Sequence, residues 1–175
     1  MAPNTLNVTA LATLNGKSIF QCWALKSGFA TSSQAGTAGA SILQLGALAN
    51  ASYSILPARF AAGQHNAPNV QWVVFLSGLA HITLPNATLP IDNTTTAYAT
   101  EAWVAGGAFG TILATDVAAN SSAGHITTYP SGEETRAIQI PIPDNAIPAH
   151  DVIDAAGPCA QELLVGRKRA IEALD

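Results

Sequence analysis

Hydrophobic and polar positions alternate along most of this chain in short runs, with a period near two. "TLNVTALATL" and "SIFQCWALK" flank Asn15-Gly16, a dipeptide that favours the tight turn of a β-hairpin. Residues 27–40, "SGFATSSQAGTAGA", show no periodicity and predict a loop. "SILQLG" and "ASYSILPARF" follow as strand-like runs. The stretch "GQHNAPNVQWVVFLSGLAHITLP" predicts strands near 70–76 and 79–84, joined at Ser77-Gly78. After a Pro/Asn/Thr loop over 85–96 come "AYATEAWVA", "FGTILATDV", "HITTYP" and "TRAIQIPI". The segment "PDNAIPAHDVIDAAGP" predicts a loop, and Leu164, Ile171 and Leu174 give 159–174 the apolar face of one helix. Many short strands, Gly/Pro turns and one late helix predict an all-β domain, a barrel or sandwich.

The 175 residues suit a single domain. No internal repeat or linker interrupts them. Hydrophobic residues make up 49% and charged residues 10%, against roughly 25% charged in ordinary soluble domains. No apolar run reaches the roughly 18 residues a membrane-spanning helix needs. The net charge of -4 argues against a nucleic-acid partner, which demands clustered cations. The one basic cluster, Arg167-Lys168-Arg169, suits the last turns of a helix.

A surface this poor in charge needs another source of solubility. Sequons begin at Asn7, Asn50, Asn86, Asn93 and Asn120, more than chance gives at this Ser/Thr content. They predict a secreted glycoprotein. Cys22 and Cys159 match no CxxC spacing and are expected to form one disulfide. Closing so long a loop would stabilise the fold by roughly 4–5 kcal/mol on the chain-entropy account. Met1-Ala2-Pro3-Asn4 carries no charged n-region or apolar h-region, so the chain reads as a mature form with an added initiator Met.

Two motifs carry candidate chemistry. In the first, His65 is followed by Ala67, Gln71 and, after six more residues, Gly78. In the second, "GHITTYPSGEETRAIQI", His125 precedes Tyr129 and the turn Ser131-Gly132. This pattern over residues 50–142 resembles the cupin superfamily, a jelly-roll β-barrel. It is also similar to small secreted fungal cupin-like proteins with a cysteine near each end. The resemblance implies a single cupin-like domain over 1–175, with the barrel over about 41–142 and a C-terminal loop and helix over 143–175. It further implies a divalent transition metal (Mn, Fe, Ni, Cu or Zn) held by His65, Gln71 and His125. The chain departs from the family at Ala67, where a second His is usual, at Gln71, where Glu is usual, and at Tyr129, where Asn is common. Gln71 keeps a carbonyl ligand but loses the anion, and Ala67 cannot ligate, which weakens metal binding.

By strand parity Tyr129 shares the face of His125 and is a candidate proton donor. Val73 and Phe75 share the face of Gln71, while Trp72 points the other way. Phe75, His81, Glu101 and Trp103 are further pocket candidates, His81 and Glu101 only if their register turns them inward. Arg59 and Arg136 can pair with a substrate carboxylate or with surface acids. His150 beside Asp151 reads as a surface or structural residue.

Three functional readings stay open. The first is a secreted, metal-dependent enzyme of oxygenase, isomerase or lyase type. It would act on a small apolar molecule, with the metal as Lewis acid or site of oxygen activation. The second is a metal-free protein that binds a small ligand or serves a structural role in a cell wall. The third is a carbohydrate-binding jelly roll, which requires exposed coplanar aromatics. A homodimer is compatible with the low surface charge. A GxSxG elbow, a P-loop and a GxGxxG opening a helix are all missing from the sequence.

Overall fold

The computed structural model describes residues 5–85 and 96–160. It is all-β, as expected. The expected helix over 159–174 and the basic cluster lie outside the described residues, apart from Cys159 and Ala160.

β1 (Asn7–Leu14) and β2 (Lys17–Leu25) form the expected hairpin. Asn15 and Gly16 take φ of 50° and 73°, the left-handed pair that a tight hairpin turn requires. β3 (Ala30–Thr31) and β4 (Ser41–Ile42) make a small ribbon, so only the first two residues of "SILQLG" are strand. β5 (Ser52–Leu56), β6 (Phe60–His65), β7 (Gln71–Ser77) and β8 (Leu79–Thr83) follow. Then come β9 (Glu101–Ala105), β10 (Thr111–Ala114), β11 (His125–Tyr129) and β12 (Thr135–Pro141). Last is β13 (His150–Asp154), in a segment expected to be loop. It pairs antiparallel with β2 at the sheet edge, where two aspartates and a histidine in five residues are tolerated because one face meets water.

A seven-stranded sheet runs β13-β2-β1-β10-β7-β12-β5, and a four-stranded sheet runs β6-β11-β8-β9. The expected barrel is not closed. Among the described residues no ladder joins the two sheets, and β13, β5, β6 and β9 each keep one edge unpaired by their sheet. Bulges at Thr127/Thr128 and Arg136/Ala137 bend the strands without bringing those edges into register. The sheets are joined by packing instead, with side chains of both lining one interior cavity. β1 and β2 contribute Leu11, Ile19 and Phe20 to the core, each 1% exposed or less.

Gly78 is the corner between the sheets. β7 belongs to the large sheet and β8 to the small one, so "VVFLSGLAHIT" is not a hairpin. The chain turns from one layer to the other at Gly78, whose φ is 79°. A Cβ there would overlap both the side chain and the backbone of Thr135. Only glycine meets both demands. An earlier crossing, over residues 66–70 between β6 and β7, puts His65 and Gln71 in facing layers.

Candidate functional site

The cavity between the sheets holds about 80 Å³. The large sheet lines it with Leu11, Gln71, Val73, Phe75, Ile112 and Gln139, and the small sheet with His65, Ile82, His125, Thr127 and Tyr129. The parity expected for β7 holds: Gln71, Val73 and Phe75 face in, while Trp72 is fully buried on the other side.

His65 and His125 are register partners across β6 and β11. Their ring centroids lie 4.5 Å apart at 60°. His65 is exposed at the mouth, and His125 is buried. Each ring is held from behind. His65 Nδ1 lies 2.9 Å from the carbonyl of Gly63. His125 Nδ1 lies 2.8 Å from Asp116 Oδ2. An Nδ1 facing an acceptor carries the proton, which leaves Nε2 of each ring as the lone-pair atom.

Behind His125 stands a polar network that sequence reasoning missed. Asp116 is completely buried. Its Oδ2 accepts hydrogen bonds from His125 and from Ser18 Oγ, the latter at 2.8 Å. Ser18 Oγ also lies 2.8 Å from Ser121 Oγ, which accepts from the Gly124 N–H. Asn66 Nδ2 donates to the carbonyls of both Asp116 and Ser121 at 3.0 Å, fixing the loop after β10. Asp116 Oδ1 is buried without a protein partner. The available signal was a lone acid directly after the apolar run "TILAT", in a chain with only 11 acids. A carboxylate there must be paired to be buried.

Tyr129 lines the cavity beside Phe60 and Phe75, with ring centroids 6.1 and 6.4 Å away. Burial pushes its phenol up to about 12, so it is a hydrogen-bond donor at neutral pH. Ala67 also lines the cavity and supplies no donor.

Among the described residues no three His, Cys, Asp or Glu side chains gather as a metal-holding group. The donor set is therefore two imidazoles and the amide oxygen of Gln71. Imidazole nitrogens and an amide oxygen are ligand types that first-row transition metals take. Asp116 behind His125 is the outer partner that metal-ligating histidines usually have.

Three candidates fall outside the cavity. Ala80 and Ile82 take the inward positions of β8, and Ala102 and Val104 those of β9. Strand alternation then turns His81, Glu101 and Trp103 to the outer face, and none of them lines the cavity. Arg136 instead pairs with Glu134 at the surface, and Arg59 is exposed. His150 is structural: its ring stacks on Trp23 at 3.5 Å, and Nδ1 meets the Pro148 carbonyl.

Cys22 and Cys159 form the expected disulfide across 137 residues. Asn7, Asn50 and Asn120 are exposed. Asn86 and Asn93 lie outside the described residues. No described helix is long and apolar enough to cross a membrane. No known family model matches this chain, nor does any curated protein or solved structure.

Proposed function

We propose that the chain is a secreted, metal-dependent enzyme of the cupin type, with His65, Gln71 and His125 as the ligands of a divalent transition metal. The observation that carries this reading is the pair of imidazoles in edge contact, ring centroids 4.5 Å apart, each with Nδ1 against an oxygen and Nε2 left with its lone pair. A bound metal would supply Lewis-acid polarisation or a site for oxygen. His65 stands at the mouth, where an incoming molecule first meets the site. Tyr129 would donate a hydrogen bond to a substrate oxygen. Leu11, Val73, Phe75, Ile82 and Ile112 make much of the wall apolar, with Thr127 and Gln139 as further polar members. A cavity of about 80 Å³ is far below the roughly 300 Å³ of sites that enclose a ligand. The substrate is thus a small organic molecule, or one that inserts only its reacting end. The disulfide and the exposed sequons at Asn7, Asn50 and Asn120 support secretion as a glycoprotein.

Elemental mass spectrometry of the purified protein tests this. Near-stoichiometric metal that is lost in both His65→Ala and His125→Ala is expected. No metal in the parent protein, even after loading with Mn, Fe, Ni, Cu or Zn, would sink the reading. The metal-free alternative, a small-ligand or structural protein, is favoured by one observation. The Ser18–Asp116–His125 network is already assembled from protein groups. That alternative requires unchanged stability in chelator.

A further inference from the structure

The outer face of the small sheet carries a second constellation. Trp103 and His81 are register partners on β9 and β8. Their rings lie parallel, 3.8 Å apart and inclined by 9°. Glu101, two residues before Trp103 on the same face, binds His81 Nε2 through Oε2 at 2.6 Å. Trp103 is 48% exposed, whereas Trp23 and Trp72 are 3% and 0% exposed.

The arrangement is fixed rather than floppy. His81 covers one face of the indole and holds the carboxylate beside it. β9 is the edge strand of its sheet. With His81 on the inner side, the other indole face looks outward past that edge. Thr83 is the register partner of Glu101 on β8, next to the His81–Trp103 pair. The patch is therefore a flat apolar plate bordered by hydrogen-bonding groups. Its one carboxylate is held in place by His81 Nε2 and is a strong acceptor for hydroxyl donors. A complementary ligand has one apolar face and hydroxyl donors around its rim. A pyranose ring has that form: its axial C–H groups pack on an aromatic face while its equatorial hydroxyls reach polar neighbours.

We propose that Trp103, His81 and Glu101 form a surface subsite for a neutral pyranose oligosaccharide. The subsite is separate from the interior cavity and does not depend on metal there. Since only one indole is exposed, a change in tryptophan emission on binding reports on this patch.

The test is a fluorescence titration with cello-, chito-, manno-, xylo- and laminari-hexaose, with choline chloride as a cationic control. A saturable emission change with at least one sugar is expected. It should vanish in Trp103→Ala, weaken about tenfold in Glu101→Ala, and persist in His65→Ala. Near-UV circular dichroism from Trp23 and Trp72 verifies that each variant is folded. The proposal is overturned by silence with all five sugars, by binding that survives Trp103→Ala, or by a response to choline alone. It is equally overturned if sedimentation shows a dimer that Trp103→Ala converts to monomer, since the face would then belong to a second copy of the chain.

Discussion

Asp116 Oδ2 lies 2.8 Å from His125 Nδ1, with the carboxylate 0% and the imidazole 5% exposed. The contact sets which nitrogen of His125 meets the cavity. Replacing the carboxylate by an amide keeps the shape but lets the side chain present an N–H to the ring, which removes that preference. Asp116→Asn is therefore expected to lower metal affinity by about 10- to 100-fold, read by calorimetric titration. Nitrogen-correlated NMR of the metal-free protein should show the Nδ1–H tautomer of His125 in the parent and a mixture in the variant. An unchanged tautomer together with unchanged affinity would remove Asp116 from the site.

The same network has a structural share. Asp116→Ala strands His125 Nδ1 in the interior, while Ser18 Oγ keeps Ser121 Oγ as a partner. Each unsatisfied buried group costs roughly 1–3 kcal/mol. The expected loss is about 1–3 kcal/mol in urea unfolding, with the dependence on urea unchanged. A loss under about 1 kcal/mol would mean that water replaces the carboxylate.

Gly78 makes a sharper demand. Alanine there meets both a left-handed backbone and the overlap with Thr135. The backbone alone costs about 1–2 kcal/mol, and the overlap roughly 1–3 more. Gly78→Ala should lower stability by about 2–4 kcal/mol. Combining it with Thr135→Ala should recover only part, because the overlap includes the Thr135 backbone. Full recovery would show that the side chain alone sets the constraint.

Much of the fold was legible because strands declare themselves by alternation. The Asn15-Gly16 hairpin, the inward trio Gln71, Val73 and Phe75, and the shared face of His125 and Tyr129 all follow from local periodicity. What periodicity cannot express is which sheet a strand joins. Ser77-Gly78 reads like a hairpin turn, and only the tertiary approach of Thr135 makes it a corner between layers. β13 was hidden because its polar residues suit an edge strand as well as a loop. His81 and Trp103 are pocket candidates in the sequence because they lie in or beside predicted barrel strands. Register alone decided otherwise. Asp116 was invisible because its partners, Ser18 and His125, lie 98 and 9 residues away.

The disulfide ties the β2 strand to the segment after β13 across 137 residues. Cys22→Ser with Cys159→Ser should cost about 2–5 kcal/mol, visible as a lower melting temperature that reductant no longer changes. Intact mass should rise by about 2 Da when the parent is reduced, one hydrogen per sulfur. The absence of that shift would refute the bridge.

Tyr129 gives a pH dependence of defined sign. Burial raises its phenol from 10.0 to about 12 in the folded chain. The folded state thus holds the proton more tightly than the unfolded state. Its contribution to stability is fully present below about pH 10 and is lost as the pH climbs toward 12. At about 1.4 kcal/mol per unit, the total is on the order of 2–3 kcal/mol. Tyr129→Phe keeps the ring and removes the proton, so its unfolding free energy should fall less between pH 9 and about 11.5 than that of the parent. Of the three tyrosines, Tyr129 should ionise near pH 12 in an ultraviolet titration, and that late step should disappear in the variant. A phenol that ionises near its ordinary value would mean that water reaches Tyr129, and the cavity would then be wetter and more open than its apolar walls imply.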